Sequence, residues 1–263
     1  MRIYLLAAAS LGLVAAPAAA QIAGSAEKSA PLGLTFTTGA DYSSGDYGLG
    51  SKTDILVVPF SLRAKTGNFS FSASLPYLHI RGAGALVGAD GTPIPGVPVT
   101  GSSRSGLGDV TLGATYRIPG EQLGGVELAI GGRVKLPTAS KSKQLTTGKT
   151  DESVSLDLSY PTGVVTPFVN VGYRFLGDPV GVKLRDGPTA SVGSSVQLGK
   201  ATLIGSYDYA RSVTSLTRDS HQRFGGLSGP ASNRFTLTGY GTKGLSSGAA
   251  DYGAGLLLSV KVL

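Results

Sequence analysis

From Leu32 onward the chain alternates apolar and polar residues with a period of two, the repeat of a strand with one face in an oily phase. Leu32, Leu34, Phe36, Thr38, Ala40 and Tyr42 share one face; Gly33, Thr35, Thr37, Gly39 and Asp41 share the other. The next run sets Leu56, Val58, Phe60, Leu62 and Ala64 against Arg63 and Lys65. Then Phe69, Phe71, Ala73, Leu75 and Tyr77 oppose Ser70, Ser72 and Ser74. Further runs cover 110–118, 126–136, 154–160, 169–175, 203–209 and 256–262. Their apolar faces carry no charge, whereas the opposite faces hold Asp109, Arg117, Glu127, Arg133, Lys135, Asp157, Arg174, Asp208 and Lys261.

A soluble sandwich shows the same alternation around its core. Three features favour a membrane barrel. The runs approach the ~9–11 residues a tilted strand needs to cross a bilayer. Several stripes end in tyrosine, at Tyr42, Tyr77, Tyr116, Tyr160 and Tyr209, as an interfacial girdle requires. The opposite faces are rich in Gly, Ser and Thr, which suits a confined wet lumen. Connections alternate in length. Short ones fall at 66–68, 119–124, 161–163 and 199–200; long ones fall at 43–52, 82–106, 138–149 and 177–187. Clear periodicity yields eleven strands, and even parity asks for a twelfth near 219–230, with a fifth short turn at 231–233. The fold predicted is an all-β, transmembrane, antiparallel up-and-down barrel of about twelve strands, with short turns and both termini periplasmic.

Composition narrows the chemistry. Glycine is 40 of 263 residues, which argues against long helices. Cysteine is absent, so thiolate catalysis and disulfides are excluded, and the two histidines, His79 and His221, leave little for a histidine-rich metal site. The net charge of +7 is spread singly rather than gathered in a nucleic-acid patch. Arg2, the apolar stretch 3–16 and Ala18-Ala19-Ala20 predict a Sec signal peptide over 1–20, leaving 21–263 as the barrel domain of an exported, outer-membrane protein.

Several short motifs then become recognisable in their order: Ser105-Gly106-Leu107-Gly108-Asp109, Lys135-Leu136-Pro137-Thr138-Ala139, Thr147-Gly148-Lys149-Thr150-Asp151, Tyr240-Gly241-Thr242-Lys243-Gly244 and Ala250-Asp251-Tyr252-Gly253. With this arrangement the chain resembles the phenol-degradation MetA-pathway family of outer-membrane β-barrel proteins, from about residue 35 to the end. The resemblance implies an outer-membrane barrel for passage of aromatic or other small molecules. It also implies contact with outer-membrane lipids and the barrel-assembly machinery. Such barrels usually end in an aromatic residue on the lipid face; here Leu263 is last and shares the face of Lys261.

The inward charges are the candidate solute path: Arg63, Asp109, Arg117, Glu127, Arg133, Lys135, Asp151, Asp157, Arg174 and Asp208. Arg117 and Glu127 are placed low, and Arg133, Lys135, Asp109 and Asp151 higher, near the outer mouth. The same charges could instead be salt bridges that stiffen the lumen. Ser105 to Asp109 is followed by neither a helix pattern nor Lys-Ser/Thr, so it is no phosphate loop. Asp90 alone cannot make a calcium site, and the proline-bearing loop 82–106 is long enough to fold inward as a lid. No catalytic, metal or cofactor site is expected. His79 has lipid-face parity, but no serine of that parity is evident beside it. Three functions stay open: a passive, porin-like channel for small solutes, a closed structural or envelope-interaction barrel, and, third, an outer-membrane lipid hydrolase.

Overall fold

A computed structural model describes residues 32–82 and 103–263, with the paired segments Leu86–Val87 and Pro93–Ile94. The expected signal peptide and most of the 82–106 loop, Asp90 included, lie outside the described residues. The barrel strands are β1 (Gly33–Gly45), β2 (Thr53–Thr66), β3 (Phe69–Arg81), β4 in two segments (Ser103–Leu107 and Val110–Ile118), β5 (Glu127–Leu136) and β6 (Asp151–Ser159). They continue as β7 (Val165–Phe175), β8 (Gly187–Leu198), β9 (Ala201–Ala210), β10 (Ser220–Pro230), β11 (Phe235–Gly244) and β12 (Tyr252–Lys261). Each pairs antiparallel with its sequence neighbours, and β12 pairs with β1. Closure pairs the wall on both sides except along Ser103–Leu107, toward the long loops; a lipid-embedded sheet requires this because hydrocarbon offers a bare N–H no partner. At the seam Thr37 and Ser259, 222 residues apart, bond through their hydroxyls at 2.9 Å.

Strand lengths run from 9 residues in β6 to 14 in β2, enough to span a bilayer at a tilt. Outward positions are apolar and exposed: Leu56, Phe60 and Leu62 on β2, Val169 and Val171 on β7, Leu203 on β9, Leu256 on β12. Aromatics collect at two levels. Phe69, Phe71 and Tyr116 cluster near the short turns, with Phe69 and Tyr116 rings 4.8 Å apart. Tyr42 and Tyr252, and Tyr173 and Phe175, cluster near the long loops at 6.3 and 5.0 Å. The rings fill the interface while their hydroxyls meet water.

The weakly patterned twelfth strand is real and spans Ser220–Pro230. Its alternation is poor because glycine occupies Gly225, Gly226 and Gly229 and its outward face carries His221 and Arg223. β4 differs from expectation more sharply. It begins at Ser103, inside the segment read as loop, and is broken at Gly108 and Asp109. Both segments pair with β3, one at Tyr77–Arg81 and the other at Phe69–Ser74. At the break, Gly108 N–H donates to Pro76 O at 2.8 Å. A Cβ at Gly108 would lie 2.7 Å from the Pro76 ring, so only glycine fits. Pro76 stands opposite Pro59 of β2, and neither has an N–H to donate.

The barrel interior as candidate functional site

The upper interior, toward the long loops, holds an apolar cluster of Tyr47, Ile55, Val57, Leu78, Ile80, Ala139 and Leu145. Ile55 and Val57 are the inward residues of β2, Leu78 and Ile80 those of β3. Loops supply the rest. Tyr47 sits in a left-handed conformation (φ 51°), and its hydroxyl reaches Ser43 Oγ at 3.0 Å. Burial pushes the Tyr47 hydroxyl up to about 12. Leu145 and Ala139 descend on the segment 137–150, which thus folds into the barrel rather than standing over it.

An ion triad holds that segment. Lys135 Nζ lies 2.9 Å from Asp151 Oδ2 and 3.2 Å from Asp109 Oδ2, with Lys135 3 % exposed and each aspartate 6 %. Each carboxylate oxygen has a partner. Thr146 Oγ1 donates to Asp109 Oδ2 at 2.6 Å, and Ala139 N–H to Asp109 Oδ1 at 2.9 Å. Gly177 N–H donates to Asp151 Oδ1, and Lys135 also donates to Thr147 Oγ1 at 2.9 Å. The break in β4 frees Asp109 from the ladder, and the carboxylate then becomes the anchor of a loop. A second loop anchor is Asp219, whose carboxyl accepts Ser212 N–H and the Tyr209 hydroxyl; the backbone bond holds it below the usual carboxylate range.

The lower interior differs. Inward positions there are mostly small: Ser70, Ser72, Thr115, Gly131, Ser153 and Ser155. Among them Arg63 stands within reach of the charges of Arg117 and Arg133. Asp157 attracts Arg133 and accepts a hydrogen bond from Asn170. Arg133 points inward and is exposed within the barrel, so side chains leave the space beside it unfilled. On β11 Tyr240 lies against Gly255, where a Cβ would fall 2.2 Å from the ring, and its hydroxyl donates to Asp41. Phe224 packs beside it with ring centroids 5.5 Å apart.

The ten inward charges singled out from sequence therefore divide. Asp109, Lys135 and Asp151 form the upper brace. Arg63, Arg117 and Arg133 gather lower down with Asp157, and Glu127 lies in reach of the neighbouring Lys65 charge. Arg133 is thus separated in role from Lys135, its neighbour two residues on. Arg174 donates to Arg211 O at 2.7 Å and braces the 211–219 loop; Asp208 accepts from Ser206 Oγ at 3.0 Å. Sequence alternation missed Tyr47, Leu145, Phe224 and Tyr240. The unbroken apolar run Ile55-Leu56-Val57-Val58 was the available signal that β2 is oily on both faces there. One expectation is corrected: a serine does stand beside His79 on the lipid face, because early-starting β4 places Ser105 directly opposite. His79 Nε2, however, accepts from Arg81 Nε at 3.0 Å, which leaves that nitrogen no lone pair to take a serine proton.

A closed antiparallel barrel with an apolar band, two aromatic levels and a charged interior defines the class of outer-membrane β-barrels. The profile of the family described as "Putative MetA-pathway of phenol degradation" matches residues 26–262, and the chain belongs to that family. Among solved structures it is similar to an outer membrane channel from Pseudomonas putida F1, at 13 % identity and TM-score 0.67, covering 88 % of this chain and 96 % of that one. It also matches the toluene transporter TodX of P. putida, at 11 % identity and TM-score 0.48 over 88 % and 91 % of the two chains. A third match is the outer membrane phospholipase A of Escherichia coli, at 11 % identity and TM-score 0.46 over 86 % and 89 %. No curated protein matches the sequence.

Proposed function

We propose that the chain is a passive outer-membrane channel for small aromatic solutes, working by passage rather than catalysis, with residues 1–20 as its export signal. The observation that supports this is the unfilled interior of a twelve-stranded wall, where inward Arg133 is not packed over. An eight-stranded barrel is just filled by its own side chains. Twelve tilted strands at ~4.7 Å spacing give a backbone radius of ~12 Å, and inward Gly, Ser and Thr cannot fill it. The family's link to phenol degradation gives the solute class, and the Phe224–Tyr240 pair offers it a ring face. The P. putida F1 protein is a precedent for channel activity on this fold. Arg63, Arg117 and Arg133 would favour anions, because low-dielectric walls strengthen the field of fixed charges.

Purified protein in a planar bilayer should show discrete conductance steps, reduced when benzoate or phenol is added on one side. The apolar plug favours a second reading, a closed structural barrel. A flat current trace from wild type that stays flat in Leu145→Ala would establish that reading instead.

A further inference from the structure

Toward the long loops the outer wall is not uniformly apolar. The strand register sets Tyr207, Arg223, Lys243, Tyr252, Ser44, Asp54 and Arg81 in one outward row, running from β9 to β12 and on through β1 to β3. At one end of the row charge is balanced. Asp54 lies 4.0 Å from Lys52 Nζ, accepts from the Tyr42 hydroxyl and Ser44 Oγ, and is in reach of the Arg81 charge. At the other end it is not. Arg223 and Lys243 face each other directly across β10 and β11, both exposed. Like charges in such a pair repel. Among the described residues no carboxylate forms an ion pair with either.

The surroundings say what kind of partner fits. Below the pair, exposed Leu227, Leu237 and Leu256 mark the hydrocarbon band. Beside it stand Tyr207 and Tyr252, and His221 sits one outward position further toward the loops, bonded to the Tyr207 hydroxyl. The two cations thus lie at headgroup height, on the side of the long, outer loops. A doubly acceptor-rich anion between a guanidinium and an ammonium removes their repulsion and satisfies both. We propose that Arg223 and Lys243 form a binding site for the phosphate of a phosphorylated glycolipid in the outer leaflet, with acyl chains descending along Leu227 and Leu237.

The test is binding of lipid A to the detergent-solubilised full barrel, read by the shift in its heat-modified gel transition and by native mass spectrometry. Wild type should retain bisphosphorylated lipid A and should not retain the fully dephosphorylated form. Arg223→Gln with Lys243→Gln should bind about thirtyfold more weakly, from roughly fivefold per surface cation. Lys52→Gln, at the balanced end of the row, should bind as wild type does. Equal binding of phosphorylated and dephosphorylated lipid by wild type would overturn the proposal, as would undiminished binding by the double variant. Should that variant fail to insert, the two lipids compared on wild type decide the matter alone.

Discussion

The two halves of the barrel interior are built on opposite principles. The upper half is packed: apolar side chains from wall and loops cluster there, and the triad of Lys135, Asp109 and Asp151 is buried. The lower half is lined with small polar residues, and of its arginines Arg133 is exposed within the barrel while Arg63 and Arg117 are half-buried. The same charge type therefore does different work. A lysine sealed between two carboxylates is structural, since removing it strands charge in a dry place. An arginine with unfilled space beside it acts chiefly through its field.

That contrast can be broken most forcefully at Lys135. Lys135→Met should leave Asp109 and Asp151 buried without their cation and cost about 3–5 kcal/mol in folding stability. Urea unfolding in micelles measures the loss; a change within error of wild type would mean that the triad is not sealed. Next comes Leu145→Ala, which should cost about 2–4 kcal/mol. It should also raise conductance, because the plug loses the side chain that seats loop 137–150 against Ile80 and Leu78. A stable variant with wild-type current would locate the constriction elsewhere.

Tyr47 sharpens the comparison through pH. Its hydroxyl is held near 12 in the fold against an ordinary value near 10, so the folded state keeps a proton that the unfolded state releases. Its contribution is complete below pH 10 and is lost as pH climbs from there to about 12, amounting to about 2–3 kcal/mol. Tyr47→Phe should flatten that alkaline decline in stability; the same slope in both proteins would assign it to another group. The smallest stability effect belongs to the lower half. Arg133→Ser should lower folding stability by less than Lys135→Met does, because Asp157 keeps its hydrogen bond from Asn170, yet move the reversal potential in a salt gradient toward cation preference. Unaltered selectivity in a conducting barrel would remove Arg133 from the solute path.

Strand number and facing were legible because each rests on a local rule. Side chains alternate by two, lipid demands an apolar outer face, and short turns separate strands at every other connection. Even the faint strand 220–230 followed from parity. What alternation could not show is what the loops do once the wall is closed. Leu145 and Thr146 read as ordinary loop residues until Asp109, 37 residues away from Thr146, is seen to capture them. The start of β4 was hidden for a related reason: Ser103 to Leu107 pairs on one side only and carries few apolar residues, so nothing local marks it as strand. The outward pair Arg223 and Lys243 escaped notice because their spans have too many glycines for a face to be assigned.

The seam between β1 and β12 joins residues more than two hundred positions apart, as the Thr37–Ser259 bond shows. Every other pairing in the wall joins strands that follow one another in sequence and can form as a hairpin. The seam alone is non-local, and contacts of that kind form slowly. Until it forms, two rows of bare N–H and C=O groups border the sheet, and hydrocarbon cannot solvate them. A partly zipped sheet is thus confined to water, where its oily outer face drives aggregation. For this chain, completing the circle and entering the bilayer are a single event.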